Sequence, residues 1–470
     1  MQWKISGNNC SIDFYGDTFE TEDQRNWTDA SYKTYCTPLN LPRPAKILKG
    51  QKIYQKIVLK IDTGDKVGTT DTGLISITIK RKKLMPFPRI GICKSTRLKP
   101  LTPGEAEIIK KLGFDHYRIE LFLFNNDWAT KAETAFREAI SLGSKTELVL
   151  FFDDDYANQV ALFIEFINTK KTDLALIILF HKKALSTPDL LTDQVAPFLR
   201  RALPGINICC GTNANFVQLN RNRPQSVHSD YICYSIHPQE HASDNLSLVE
   251  NLQAQRDTVE SAIHFASNKK IWISPVNIQR RFNANISNYE LPAESDNFPP
   301  QADSRLMSLF GGCWIAGSLK YLIEGGAEGV TLLETVGERG IIQGDFNSGW
   351  PIEFKSVKGM IFPLFHVLKF ILKYKSDHVL ESISSNPLNV ESLVISDGNK
   401  MKMILVNFTK VIQKINIRGR RADFSIRKLN ESTYSEAVTD DGWLEKTETT
   451  KVRNSVPMML DPFSITFVEG

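Results

Sequence analysis

Glu147-Leu-Val-Leu-Phe-Phe152 and Leu174-Ala-Leu-Ile-Ile-Leu-Phe180 are two of eight short apolar runs that recur between Arg89 and Thr335. Runs of this kind, rich in branched side chains and separated by helix-period segments, are typical of parallel strands covered by helices. Eight such units over about 250 residues predict an α/β fold, the (β/α)8 TIM barrel. The other six runs begin at Arg89, His116, Ile206, Tyr231, Ile271 and Gly329.

The regions on both sides of the predicted barrel show the alternation that is typical of sheet strands. Residues 52–61 and 73–80 flank a loop rich in Gly, Asp and Thr, which predicts a β-hairpin. Short sheets cannot bury an apolar face alone, so we expect the two flanks to combine into one β-sandwich accessory domain. The predicted domains are a β-rich N-terminal region (1–85), the catalytic barrel (86–375) and a C-terminal β-sandwich (376–470).

Composition limits the classes of partner. The 470 residues include 57 basic and 53 acidic side chains, a net charge of +4, which gives no dominant field for nucleic acid. No stretch reaches the ~18 apolar residues of a membrane span, and the first residues lack a signal core. We therefore expect a cytoplasmic protein without nucleic-acid or membrane partners. The seven cysteines show no Cys-x-x-Cys spacing, which predicts reduced core thiols.

Polar residues at the C-terminal ends of the barrel strands are the candidate site residues, because active sites of this fold lie there. Glu334 follows an all-apolar run, and a buried carboxylate needs partners or a function. Arg118 and Glu120 share one side of strand two, where they either serve the site or form a structural ion pair. His237 and His241 follow strand six and can act as acid or base near neutrality, or lie on the surface.

Amides and guanidinium groups in the neighbouring loops offer donors and acceptors that suit a polyhydroxylated ligand. The alternative without a ligand is that the Asn side chains hydrogen-bond the backbone of their own loops, or that the loops form a solvated basic surface. We expect Glu338 and Arg339 to form an ordinary loop ion pair. The predicted catalytic residues are Glu334, His237 and Glu120, and the predicted substrate-binding residues are Arg118, Asn213, Asn215, Gln239, His241 and Arg281.

Three reaction classes compete for this barrel mouth. Retaining glycosidases need two carboxylates about 5 Å apart, commonly at the ends of strands four and seven. Strand four instead ends in Phe180-His181, and strand seven ends in Val276-Asn277. A zinc site could gather His181, His237, His241 and Glu334, but the spacing does not demand one, and we predict neither metal nor cofactor. Metal-free attack of water on an electrophilic carbon, with an oxyanion stabilised by amides or guanidinium, is favoured.

Four segments, taken together and in order, resemble the D-apionate lactonase family: 22–35, 234–242, 274–285 and 334–340. The resemblance covers nearly the whole chain. It implies a barrel between β-rich domains and hydrolysis of D-apionolactone, a branched-sugar lactone, to D-apionate in sugar catabolism. It also implies a longer N-terminal sheet region, so that this chain would begin inside that domain. His237 stands where the family is expected to carry Asn, and Phe180-His-Lys-Lys183 replaces a more acidic strand end.

The segment 22–35 lies outside the predicted barrel and concentrates charges around Trp27. It either closes the barrel mouth or anchors a domain interface. The primary hypothesis for the whole chain is a hydrolase that opens a small sugar-acid lactone to the aldonate through attack of water on the ester carbonyl. The alternatives are a glycoside hydrolase that uses Glu120 and Glu334, and a carbohydrate-binding barrel without catalysis.

Overall fold

The computed structural model describes two compact units, residues 1–24 with 30–73, and residues 25–29 with 74–470. Of these residues, the described set leaves out 6–7, 24, 28–32, 39, 43, 63–72, 98, 284–297, 419–422 and 454–455, together with the side chains of 81–83. Within that described set, no helix has both the length and the apolar character that a membrane crossing requires.

The first unit is built on a small antiparallel sheet. In this sheet β1 (Gln2–Ile5) pairs with β2 (Asn8–Tyr15), which pairs with β5 (Lys56–Asp62). A separate two-stranded ladder joins β3 (Glu20–Thr21) to β4 (Thr34–Tyr35). The predicted hairpin is wrong, because its second strand does not return to β5. That strand, β6 (Leu74–Pro86), pairs with C-terminal strands of the second unit instead.

Eight parallel strands of the second unit close into a barrel, which confirms the predicted TIM barrel. Each strand pairs with the next, and the eighth pairs with both the seventh and the first. A short ninth strand pairs in parallel with the end of the eighth. The barrel strands are β7 (Arg89–Cys93), β8 (His116–Phe122), β9 (Lys145–Phe152), β10 (Leu174–His181), β11 (Ile208–Gly211), β12 (Tyr231–Ile236), β13 (Lys270–Val276) and β14 (Gly329–Val336), followed by β15 (Gly340–Ile342).

Helices follow the barrel strands, and their ends carry known capping residues. The first helix begins with a capping box between Thr102 and Glu105, and the second ends at Gly143 in the left-handed conformation. The helices are α1 (Pro103–Lys110), α2 (Trp128–Leu142), α3 (Tyr156–Asn168), α4 (Asp189–Ala202), α5 (Phe216–Arg221), α6 (Asn245–Phe265), α7 (Leu309–Gly325) and α8 (Pro363–Lys373).

Two glycines make room for large rings inside the barrel. A Cβ on Gly91 would lie 2.1 Å from Cδ2 of His116, and a Cβ on Gly329 would lie 2.3 Å from Cε3 of Trp272. The two rings pack against each other with centroids 4.9 Å apart. They form the floor below the polar residues of the barrel mouth.

The accessory domain is one nine-stranded sheet, in the order β21-β20-β23-β18-β17-β16-β6-β19-β22. One face of the sheet packs on α7, and the other face has its own apolar core. The predicted accessory sheet domain is thus confirmed, and β6 is the strand that the N-terminal flank gives to it. Its C-terminal elements are β16 (His378–Ser384), β17 (Val390–Ser396), β18 (Met401–Asn407), β19 (Gln413–Arg418), β20 (Phe424–Leu429), α9 (Tyr434–Ala437), α10 (Trp443–Lys446), β21 (Thr450–Val452), β22 (Met458–Leu460) and β23 (Ile465–Glu469).

Candidate active site

Arg118 lies at the centre of the barrel mouth and is 1% exposed. Its Nη1 donates to Oε1 of Glu147 at 3.1 Å and to Oγ of Ser274 at 2.6 Å. Its Nη2 donates to Oε1 of Glu120 at 2.9 Å and to Oδ1 of Asn213 at 3.0 Å. One guanidinium therefore ties together β8, β9, β13 and the loop after β11.

Glu147 fixes this guanidinium from the floor of the barrel. The carboxylate is fully buried and accepts hydrogen bonds from Nε1 of Trp272, at 2.8 Å, and from the hydroxyl of Thr331. Nε2 of His116 lies 3.1 Å from its Oε2. Burial raises the pKa of Glu147, but the hydrogen bond from His116 and the charge of Arg118 outweigh it and lower the pKa to about 2. Glu147 is therefore a permanent anion beneath Arg118.

Glu334 enters the mouth through an irregularity in β14. The pairing register shifts between Leu332 and Glu334, and Leu333 has a φ of 31°. Such bulges redirect side chains and are frequent beside active sites. Oε2 of Glu334 accepts hydrogen bonds from the backbone N–H and the hydroxyl of Thr96, at 2.9 and 3.1 Å. One edge of this buried carboxylate is thereby fixed.

The other oxygen of Glu334 faces cationic groups. Oε1 lies 3.6 Å from Nη1 of Arg281 and 3.5 Å from Nε of Arg339. Among the described residues, no donor forms a hydrogen bond with this oxygen. Oε1 is therefore a buried acceptor without a donor, and it is held in place because Oε2 of the same carboxylate is bound to Thr96.

Arg281 brings hydrogen-bond donors to the same point. Its Nη2 donates to Oε2 of Glu120 at 3.0 Å, whereas Nη1 and Nε are buried and meet no acceptor within the described part of the chain. Burial lowers the pKa of Arg281, but the negative charges of Glu120 and Glu334 outweigh this effect and raise the pKa above its usual value. The group therefore remains cationic. Conversely, burial raises the pKa of Glu120, but the charges of Arg281 and Arg118 bring it below its usual value. Glu120 is held as an anion that orients both arginines.

A second polar group of residues, the strand-six pocket, adjoins this mouth. It is lined by Trp27, Asn215, His237, Glu240, Phe282 and Asn283. Nδ2 of Asn215 donates to Oε1 of Glu240 at 3.2 Å, and Nε2 of His237 lies 3.5 Å from the same oxygen. Burial, and secondarily the charge of Arg280, lower the pKa of His237 to about 3, so its imidazole is neutral.

Sequence comparison identifies the family. The profile described as the D-apionate lactonase TIM barrel domain matches residues 90–376, and the profile of the N-terminal domain matches residues 1–64. The chain belongs to the D-apionate lactonase family. A D-apionate lactonase of Brucella anthropi is 26% identical over 422 residues, which cover 86% of this chain and 66% of that protein. This chain thus spans less than two thirds of the length of the curated relative that it matches.

Solved structures share the fold of this D-apionate lactonase family member. A conserved exported protein from Bacteroides fragilis has a TM-score of 0.57 at 10% identity and covers 84% of this chain and 100% of its own. A GH30 endoxylanase from Clostridium papyrosolvens has a TM-score of 0.51 at 11% identity and covers 84% of this chain and 99% of its own. At these identities the likeness shows a common barrel with an extra sheet domain.

In this lactonase-family chain, five predicted site residues converge in the mouth. They are Arg118, Glu120, Asn213, Arg281 and Glu334. The predicted residues His237 and Asn215 lie in the adjoining strand-six pocket, where the ring of His241 meets Trp27 edge-on at 5.8 Å.

The position of Gln239 argues against its predicted role in substrate binding. Its Nε2 donates to the carbonyl of Ile278 at 2.6 Å and to Asp303 at 2.7 Å, while its Oε1 accepts from Arg305 at 3.0 Å. Both ends of the amide thus brace neighbouring loops. The expected pairing of Arg339 with Glu338 is also wrong, because the guanidinium faces Glu334 instead.

Other predicted ligands of the mouth do not gather. Nε2 of His181 lies 3.4 Å from Asp154 at the rim. Among the residues that the structure describes, no three His, Cys, Asp or Glu side chains form a group suited to a metal ion.

Sequence reasoning missed Glu147, Ser274 and Thr96. Glu147 opens an apolar run of β9, where a lone carboxylate inside a core requires a charged partner, and this signal could have found it. Thr96 has no local signal, because it reaches Glu334 across 238 positions of the chain.

Proposed function

We propose that this chain opens a small sugar-acid lactone, such as D-apionolactone, to the aldonate by attack of water on the ester carbonyl. The observation that carries the proposal is the approach of Glu334 Oε1 to Arg281 Nη1, at 3.6 Å. Neither atom has a hydrogen-bond partner among the described residues. A proton acceptor thus lies beside oxyanion donors, as hydrolysis of an ester carbonyl requires. Membership of the D-apionate lactonase family supports the same reaction.

In the proposed reaction, Glu334 Oε1 accepts a proton from water as the water oxygen bonds to the carbonyl carbon. The carbonyl oxygen becomes an oxyanion and receives a hydrogen bond from Nη1 of Arg281. When this intermediate collapses, the bond between the carbonyl carbon and the ring oxygen breaks. The departing ring oxygen then takes the proton from Glu334, which yields a hydroxyl and a carboxylic acid. Every bond and proton is accounted for without a co-reactant other than water.

The surrounding charges keep these groups in place. Glu120 binds Arg281 through one oxygen and Arg118 through the other, at 3.0 and 2.9 Å, so it couples the two guanidinium groups. Arg118 donates from both Nη atoms to protein acceptors, so it holds Glu120 and Asn213 in place. Oδ1 of Asn213 accepts from Arg118, and its Nδ2 is proposed to bind a substrate hydroxyl. Catalytic groups held by such contacts need little reorganisation during the reaction.

The glycosidase alternative receives less support from the charges of the mouth. A retaining glycosidase requires one carboxylic acid that is protonated at the working pH. The pKa of Glu120 is lowered by Arg281 and Arg118 although burial raises it, so Glu120 is a poor proton donor. β10 and β13 end in His181 and Val276, without a carboxylate at either end.

The test compares Glu334→Gln with the unchanged protein on sugar lactones, with acid release followed in a pH-stat. Loss of the base is expected to lower kcat by about 10²–10⁴-fold, while the thermal melt stays close to that of the unchanged protein. Glu353→Gln, at an exposed glutamate, is the matched control and should retain activity. Retained activity in Glu334→Gln contradicts the mechanism. Release of reducing sugar from aryl glycosides would support the glycosidase, and stabilisation by sugars without any turnover would support a binding protein.

A further inference from the structure

The strand-six pocket receives Trp27 from outside the barrel sequence. The carbonyl of Asn26 accepts a hydrogen bond from the backbone N–H of Val217 at 2.8 Å, and its side-chain oxygen accepts from Asn220 at 3.3 Å. Nη1 of Arg25 donates to the hydroxyl of Ser261 at 2.8 Å. These contacts hold residues 25–27 on the barrel and place the Trp27 indole in the pocket wall. The segment therefore helps to form a site as well as to anchor the chain.

Glu240 determines which atoms of this pocket face a ligand. Its carboxylate accepts from Nδ2 of Asn215 at 3.2 Å and lies 3.5 Å from Nε2 of His237. Because a carboxylate accepts hydrogen bonds, the amide nitrogen of Asn215 faces it and Oδ1 of Asn215 is left as an acceptor. The negative charge near Nε2 of His237 favours the neutral tautomer with its hydrogen on Nε2, which makes Nδ1 the acceptor.

These two acceptors are buried and face no donor. Both residues are 3% exposed, and within the described residues neither His237 Nδ1 nor Asn215 Oδ1 has a hydrogen-bond partner. A buried acceptor without a donor is unfavourable, so a ligand that supplies O–H groups would be stabilised here. The cavity has about 10 Å³ of room for the centre of such a group, which fits a single hydroxyl oxygen.

The pocket adjoins the proposed reaction centre through two loops. Asn213 binds Arg118 in the mouth, and Asn215, two residues later, lines the pocket. Likewise Arg281 serves the mouth, and Phe282 lines the pocket. Two residues of extended chain span at most about 7 Å, so the Cα atoms of Asn213 and Asn215 lie within that distance of each other, which is within the size of a small lactone.

We propose that the strand-six pocket is a hydroxyl-recognition subsite, in which a single O–H group of a polyhydroxylated lactone donates a hydrogen bond that His237 Nδ1 and Asn215 Oδ1 share. This inference rests on the proposed function. His237 is then a specificity-determining residue and not the base, since its partner Glu240 leaves it one acceptor atom for the ligand.

The test uses D-erythronolactone and γ-butyrolactone, which share a ring and differ in two hydroxyls. His237→Phe keeps a ring of similar shape but removes the acceptor. It should lower kcat/KM on D-erythronolactone at least about tenfold and leave γ-butyrolactone within about twofold. His237→Asn retains a polar atom near the position of Nδ1 and should restore the preference. His181→Phe, at the rim outside the pocket, should change neither substrate. Asn215→Leu repeats the test if His237→Phe does not fold.

Equal losses on both lactones would mean that a water or the fold depends on His237, and they would overturn the subsite, as would no loss at all. Calorimetric binding of D-erythronolactone separates this result from the reaction itself. If the unchanged protein binds but hydrolyses no lactone, and His237→Phe weakens binding at least about tenfold, the proposed function fails and the subsite stands. If binding is absent or does not depend on His237, the subsite fails.

Discussion

Arg118 and Glu147 form an ion pair in the interior of the barrel, with Nη1 and Oε1 3.1 Å apart and both side chains closed to solvent. A buried pair of this kind contributes little net stability compared with apolar residues, because both charges lose their hydration. The pair matters because it fixes the position of Arg118. Arg118 binds Glu120, and Glu120 in turn holds Arg281 beside Glu334.

Glu147→Gln tests this chain of contacts. The substitution removes one negative charge and leaves Arg118 with less compensation, so the free energy of unfolding should fall by about 3–5 kcal/mol. Lactone turnover should fall as well, because the arginines lose their alignment. Denaturant unfolding and kcat/KM measure the two effects. Glu133→Gln breaks the surface pair with Lys170 and should change the free energy of unfolding far less, because both charges stay hydrated. Equal effects in both variants would contradict the role of Glu147.

His237 should make stability depend on mildly acidic pH. Its pKa is lowered from 6.5 to about 3 by burial and by Arg280, so the folded state keeps it neutral where the unfolded state binds a proton. Its contribution is therefore complete above pH 6.5 and is lost as the pH falls towards 3. The expected slope is about 1.4 kcal/mol per pH unit in that window.

Denaturant unfolding at a series of pH values measures this slope. His237→Asn removes the titrating group, so its stability should decline less steeply between pH 6.5 and 3 than that of the unchanged protein. His378→Asn, at an exposed histidine, is the control and should keep the original slope. A His237→Asn profile parallel to that of the unchanged protein would refute the assignment.

Gly329→Ala tests the packing of the barrel floor. The added Cβ would lie 2.3 Å from the Trp272 indole, which is fully buried and cannot move freely. Overpacking of this kind should cost about 1–3 kcal/mol, measured by denaturant unfolding. Gly349→Ala meets no atom within 4 Å and should be nearly neutral. If the two variants are equally stable, the indole does not fill the space above Gly329.

The sequence predicted the barrel because the apolar period of eight strands is local information. It also predicted that Glu334 faces the mouth, since a carboxylate after an apolar run is costly to bury without partners. The backbone irregularity that turns Glu334 into the mouth could not be predicted. Thr331 points inward, so strict alternation would turn Leu333 inward as well, and only the irregularity at Leu333 brings in Glu334.

The predicted hairpin failed for a related reason. Alternation identified β5 and β6 as strands, but it carries no information on which strand each one pairs with. β6 found partners in the C-terminal sheet, far along the chain. The positions of Trp27 beside His237 and of Thr96 beside Glu334 are also long-range contacts, and no local pattern encodes them.

Arg281→Lys tests whether the guanidinium acts on the transition state. A lysine keeps the positive charge, but its single nitrogen cannot lie both at the position of Nη2 beside Glu120 and at that of Nη1 beside Glu334. The expected result is a fall in kcat of about 10²–10³-fold with a smaller change in KM, because the lost contacts form mainly with the oxyanion. Steady-state kinetics on a sugar lactone, with a thermal melt as a check on folding, measures both. Arg137→Lys, on the exposed face of α2, should match the unchanged protein. A rise in KM with an unchanged kcat would mean that Arg281 binds the substrate and the oxyanion equally well. That result would contradict the proposed oxyanion role.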